Sequence, residues 1–224
     1  MEQKLFHVFA SYLVNKPVIG ILGAGKLGVV IAQLTVKAGY AVYIAGSGDP
    51  EKIALTVKVI TPGAIAVSGM QAITKADIVI LALPLSKYKN LDVSALKNKL
   101  VIDAMNYWWE VDGDMPDLQL SDSSSEMVQD FLTSSRVVKA FSHIGYHNLL
   151  DDARPKGTRD RKAMAIAGNN IADNTSISQL VDGIGFDPVV IGDLSTSQLL
   201  EPGNPLFGSS VTKDEILKLK KKKT

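Results

Sequence analysis

The residues Gly23-Ala24-Gly25-Lys26-Leu27-Gly28 form an uninterrupted GxGxxG. That spacing serves one task, the holding of a pyrophosphate. The first glycine permits a tight turn, the second lets backbone approach the phosphates, and the third lets a helix pack on a strand. The flanks meet the same requirement. The apolar run Val18-Ile19-Gly20-Ile21-Leu22 leads in, and residues 27–38 lead out with a helical pattern of Leu27, Val30, Ile31, Leu34 and Ala38. A helix that starts at such a turn aims unpaired N–H groups and a positive dipole end at the anion.

The second strand predicted after this turn ends Tyr43-Ile44-Ala45-Gly46-Ser47-Gly48. An NAD site carries a carboxylate there for the ribose hydroxyls, and none is present. Ser47 offers a hydroxyl, Gly48 a backbone N–H and Lys52 a charge, so NADP is favoured over NAD. The alternative makes Ser47-Gly48-Asp49-Pro50 a turn, with Asp49 on a ribose. Further along, Leu83 and Pro84 close a strand and are expected to lie beside the cofactor. Asp103 is expected to serve a turn or cap, and Asn106 to pair its amide with a carboxamide or ribose.

These residues need elements to position them. Apolar runs at 18–22, 41–45, 64–67, 78–83, 100–104, 136–141, 163–167 and 188–191 alternate with helical stretches. This pattern predicts an α/β chain: a Rossmann-type, doubly wound, mostly parallel sheet of about eight strands with helices on both faces. Ser123-Ser124-Ser125-Glu126 reads as a capping box. A helix over 171–184 is expected to stop at Gly185. The predicted organisation is an N-terminal extension (1–16), a nucleotide-binding domain (17–210) and a basic tail (211–224), with no large C-terminal helical domain.

Composition removes other chemistries. The 224 residues include no cysteine, which excludes disulfides, thiolate metal sites and cysteine nucleophiles, and only three histidines, His7, His143 and His147. Glycine between His143 and His147 argues against a metal pair on one helical turn, so no metal is expected. No apolar run approaches the roughly 18 residues that span a bilayer. Residues 1–15, with Phe6, Val8, Phe9, Tyr12 and Leu13, lack the features of an export signal and read as a surface helix or leader. A cytoplasmic protein without membrane or nucleic-acid partners is expected. Five of the last seven residues are lysine while net charge is +1, so the body is mildly acidic and the run reads as a solvated tail.

With Gly46-Ser47, Leu83-Pro84, Val137-Val138-Lys139-Ala140-Phe141, Gly185-Phe186-Asp187-Pro188 and Leu200-Glu201-Pro202 beside the fingerprint, the chain resembles the NADPH-dependent reductases of the deazaflavin coenzyme F-420. It is also similar to the related cytosolic domain of six-transmembrane metalloreductases. The resemblance implies an NADP-binding fold, a homodimer, and a flat deazaflavin or flavin acceptor stacked on the nicotinamide. It places Ser47 and Lys52 at the 2′-phosphate, with Gly48 where relatives carry arginine. Ser142 and His143 stand where relatives place Asn or His, then Thr.

Hydride transfer between two rings needs orientation and no essential acid. That agrees with the lack of a catalytic constellation. His143 is the only candidate for a carbonyl or imine reductase, a minority reading. A dinucleotide-binding sensor that turns nothing over is the alternative from another class. Tyr107, Trp108 and Trp109 are candidates for stacking on an acceptor or sealing a dimer, with burial in the core at least as expected. Glu201 either closes the cleft or serves a turn.

Overall fold

The computed structural model describes residues 16–120 and 123–221. Most of the expected N-terminal extension, with His7, residues 121–122 and residues 222–224 at the end of the lysine run lie outside the described residues. The order β3-β2-β1-β4-β5-β6-β7-β8 makes one eight-stranded sheet. Its first half is β1 (Ile19–Leu22), β2 (Val42–Ala45), β3 (Ala64–Ala66) and β4 (Ile78–Leu81), with helices α1 (Lys26–Lys37), α2 (Glu51–Ile60) and α3 (Gly69–Lys75) between them. The second half adds β5 (Leu100–Asp103), β6 (Arg136–Lys139), β7 (Ala163–Gly168) and β8 (Asp187–Gly192). Its helices are α4 (Trp109–Asp112), α5 (Ser124–Phe131), α6 (Tyr146–Asp152), α7 (Ile171–Ile184) and α8 (Lys213–Lys221).

The first six strands run parallel, and β7 turns antiparallel to β6. All eight predicted strands are present, as short apolar runs covered on both faces should be. Alternation along the strands divides the core. Ile19, Ile21, Ile78, Ile80 and Ile102 face α1 and α7, while Val79, Leu81 and Val101 face α3 and α5. Two predicted strands stop two residues early. The fourth ends at Leu81 ahead of Pro84, and the sixth at Lys139, because Phe141 turns the chain with φ of 66°.

Strand order reverses between β1 and β4, where open α/β sheets bind ligands. The sequence makes that crevice tight. Gly23 has φ of 119°, and a Cβ there would lie 2.1 Å from the Ala82 carbonyl oxygen. A Cβ on Gly28 would lie 1.8 Å from the Gly23 carbonyl oxygen.

The lysine run differs from its reading as a solvated tail. Residues 213–221 form α8, begun by Thr212, whose N–H and hydroxyl donate to the Glu215 carboxylate at 2.8 Å each. Ile216 and Leu219, one turn apart, pack on β7 and β8, and the lysines of the last turn suit the negative end of the dipole. No described helix is long and apolar enough to cross a membrane.

The ends of β5 and β6 hold the least expected pair. Lys139 and Asp103 are wholly buried, with Nζ 3.1 Å from Oδ2. Lys139 also donates to the Met105 carbonyl at 2.6 Å. Asp103 accepts from Ser125 Oγ at 2.7 Å and from the Met105 N–H at 2.9 Å, which is the expected turn role with an ion pair added. Removing one member strands a buried charge. Lys139→Ala is expected to lower unfolding stability by about 3–5 kcal/mol. Lys139→Met with Asp103→Asn removes both charges and is expected to recover most of that loss, as read from urea midpoints.

Candidate functional site

The turn from β1 into α1 leaves a helix start with nothing to neutralise it. Gly25 is the N-cap, so no side chain caps the helix, and the first turn holds no acid. This helix start, whose first N–H groups have no partner within the helix, lines a cleft of about 770 Å³. Gly23, Ala24 and Gly25 form one wall, Gly46 and Ser47 a second, and Leu83, Pro84, Lys87 and Leu91 a third. No atom lies within 4 Å of the position a Cβ on Gly25 would take, so the space over the second glycine is open.

The structure thus brings Gly23, Ala24, Gly25, Ser47, Leu83 and Pro84 together. It places the other candidates elsewhere. Leu27 packs on the core and Gly28 lies beneath the turn, so both support the loop. Lys26 sits 5.4 Å from the Tyr146 ring centroid and lines a neighbouring hollow of about 480 Å³. Gly48, with φ of 96°, lies at the turn beyond the cleft, and Lys52 is exposed on α2 outside its lining. Asp49 is also outside the lining and accepts from the Glu51 N–H at 2.9 Å, a helix-start role.

Among the described residues Lys87 is the one charged side chain that lines the cleft, and sequence reading missed it. Its signal was Leu-Pro followed three residues later by lysine. The Pro84 carbonyl accepts from the Lys87 N–H at 3.0 Å in the 3₁₀ helix Leu85–Asn90, which carries the lysine onto the cleft wall.

Asn106 lies past β5, over the second half of the sheet, and donates from Nδ2 to the Ser142 carbonyl at 2.7 Å. The aromatic loop that follows is tied down. Asp112 accepts from the N–H groups of Ser86 at 2.9 Å and Trp108 at 2.8 Å, joining this loop to the Pro84 wall. The Tyr107 hydroxyl donates to the Gly113 carbonyl, and Trp108 meets Phe207 edge-on at 5.6 Å. The expected core burial is not found for the tryptophans. Trp108 is 48% and Trp109 62% exposed, because the loop closes on its own polar groups rather than on the sheet.

His143 corrects the acid–base candidate. It is buried, its Nε2 accepts from the Ala165 N–H at 2.9 Å, and its Nδ1 lies 3.2 Å from the Ser209 carbonyl oxygen. An Nε2 that accepts leaves the proton on Nδ1, so the ring is neutral and neither nitrogen is open to substrate. Burial pushes its pKa down to about 4 from 6.5, against the Ser209 carbonyl, which raises it. His147 is exposed, its ring tilted at 37° to that of Tyr146 with centroids 4.0 Å apart, and no metal-binding group of three is found among the described residues. The Glu201 carboxylate accepts from the Ser124 N–H at 2.6 Å and hydroxyl at 2.7 Å. It therefore tethers the C-terminal segment to the start of α5. Ser123 accepts from the Glu126 N–H at 3.2 Å, the half of the capping box that satisfies the helix.

Residues 18–107 match the family described as NADP oxidoreductase, coenzyme F420-dependent. Rat metalloreductase STEAP3 is 25% identical over 188 residues, which cover 83% of this chain and 36% of the relative. Human metalloreductase STEAP2 is 25% identical over 190 residues, 84% of this chain and 36% of the relative. The chain thus spans about a third of the length of these curated relatives. A hypothetical protein from Sinorhizobium meliloti has a similar structure, with TM-score 0.77 and 26% identity over 92% of this chain and all of that one. An Arthrobacter sp. FB24 protein assigned as an F420-dependent NADP reductase gives TM-score 0.68 at 18% identity, covering 81% and 87% of the two chains. The resemblance carried by the motifs holds over residues 18–107, and with it the coarser reading of an NAD(P)-dependent oxidoreductase fold.

Two outcomes follow from these placements. The folded pKa of His143 lies below its unfolded value, so its contribution is complete above about pH 6.5 and is lost as pH falls toward about 4. That loss is expected to reach about 3 kcal/mol, and His143→Gln is expected to flatten this part of the urea-stability profile. Gly25→Leu fills open space and is expected to leave the melting temperature within about 2 °C, the shift of a surface change. It should also abolish dinucleotide binding in a fluorescence titration.

Proposed function

We propose that the protein is an NADP(H)-dependent oxidoreductase passing hydride between the nicotinamide and a planar acceptor of deazaflavin or flavin type. The observation that carries the reading is the cleft lining, which among the described residues has no carboxylate, one lysine, and the hydroxyl of Ser47 just past β2. A carboxylate there would repel a 2′-phosphate, whereas a hydroxyl and an ammonium hold one.

The residues present fit NADP. The uncapped first turn of α1 donates backbone N–H groups to the pyrophosphate, and the open space over Gly25 admits it. Ser47 and Lys87 take the 2′-phosphate, and Leu83 with Pro84 supplies an apolar wall. The bound cofactor supplies the hydride. The protein's task is then to align two rings and exclude water, which the tethered Asn106–Gly113 loop beside the Pro84 wall suits. A carbonyl or imine reductase needs a proton donor at the substrate, and His143, with both nitrogens on backbone, does not serve as one.

Isothermal titration tests the cofactor assignment. NADPH is expected to bind at least roughly tenfold more tightly than NADH, the scale of one charge-assisted contact. Lys87→Ala with Ser47→Ala should remove that preference and leave NADH affinity unchanged. Equal affinities in the parent protein would sink the NADP assignment. Anaerobic mixing of the NADPH complex with the deazaflavin or FMN should bleach the acceptor. A bound cofactor with neither acceptor reduced would favour a sensor.

A further inference from the structure

Two buried polar atoms lie at the carboxyl ends of β5 and β6 with no hydrogen-bond partner among the described residues: Asn106 Oδ1 and Ser142 Oγ. Buried polar atoms are nearly always paired, so an unpaired one marks strain or a group yet to arrive. These two belong to one arrangement, because Asn106 Nδ2 donates to the Ser142 carbonyl at 2.7 Å. That bond fixes the amide. A carbonyl only accepts, so the nitrogen must face Ser142 and the oxygen must face away as a free acceptor.

The backbone is committed to this geometry. Phe141 is buried with φ of 66°, a left-handed conformation that a bulky residue adopts at a cost. The residue after it, Ser142, is carried inside to 4% exposure. Both positions are also braced from below. Lys139 stands three residues before Ser142 and Asp103 three before Asn106, and the two are locked together and to Met105. In a doubly wound sheet the second group of parallel strands receives the second half of a dinucleotide. Here β1, β2 and β4 form the cleft, and β5 and β6 carry the two unpaired atoms.

We infer that Asn106 and Ser142 form a clamp for a primary carboxamide, that of the nicotinamide ring. Asn106 Oδ1 accepts from the carboxamide N–H, and the Ser142 hydroxyl donates to its carbonyl oxygen. A carboxylate in place of the amide meets Asn106 Oδ1 acceptor to acceptor, so the pair also rejects the deamidated cofactor. The inference rests on the dinucleotide reading above and makes no use of the acceptor.

Equilibrium binding tests the clamp with three probes. These are NADP⁺, its 3-acetylpyridine analogue, which keeps the carbonyl and lacks the amide N–H, and 2′-phospho-ADP-ribose, which lacks the ring. The parent protein should bind NADP⁺ about tenfold more tightly than the acetylpyridine analogue, the value of one buried hydrogen bond. Asn106→Ala should bring that ratio near one. Ser142→Ala should weaken both ring-bearing ligands by a similar factor and keep the ratio. Both variants should bind 2′-phospho-ADP-ribose as the parent does, which also shows that they fold. A parent ratio near one, an unchanged ratio in Asn106→Ala, or Ser142→Ala binding like the parent overturns the clamp alone. Failure of the parent to bind any probe overturns the dinucleotide reading, and the clamp with it.

Discussion

The fold turns on a contact between two backbones. Where β1 leaves the sheet, the Gly23 N–H donates to the Ala45 carbonyl at 2.8 Å, while its Cα lies so close to Ala82 that no side chain fits. Gly28 repeats the constraint one turn into α1, against the carbonyl of Gly23 itself. Together these approaches set how near the helix start comes to the strand ends. They therefore set the width of the cleft that Ser47, Pro84 and Lys87 share. A wider gap would move the first N–H groups of α1 away from the facing walls of the cleft.

The second half of the sheet solves its own positioning problem by different means. Its β5 and β6 ends are joined by the Lys139–Asp103 pair and the bonds around Met105 instead of by close glycine contacts. Buried ion pairs are poor sources of stability, and hydrophobic replacements often match or exceed them. Their value lies in direction. Here the pair fixes the relative height of two adjacent strand ends, and Asn106 and Ser142 emerge from those ends three residues later. The glycine turn gives access, and the ion pair gives orientation.

Much of this was legible in the sequence because buried parallel strands and capped helices leave local signals. The eight apolar runs, the stop at Gly185 and the cap at Ser123 each needed only neighbouring residues. What escaped depended on neighbours distant in sequence. Nothing local to Lys139 shows its burial, which depends on β6 lying beside β5 and on Asp103 beneath it. His143 reads as a possible acid until Ala165 and Ser209 reach its two nitrogens. Lys87 was missed because a 3₁₀ turn sets its direction, whereas Lys52 was favoured for closeness along the chain. The lysine run hid a helix because charge outnumbers the two apolar residues, Ile216 and Leu219, that anchor it.

The segment following β8 carries a consequence for how the molecule is made. Glu201 reaches back 77 residues to Ser124, Ser209 reaches 66 to His143, and Phe207 lies against Trp108. Every one of these ties serves the second half of the sheet. The residues that line the cleft, by contrast, all lie before 92, and their wall is tied only as far along the chain as Asp112 and Asp117. Chains emerge from the ribosome N-terminus first, and contacts of long sequence separation form late. The cleft can therefore take shape while later residues are still being translated, whereas the second half is completed only once residues 201–209 have emerged.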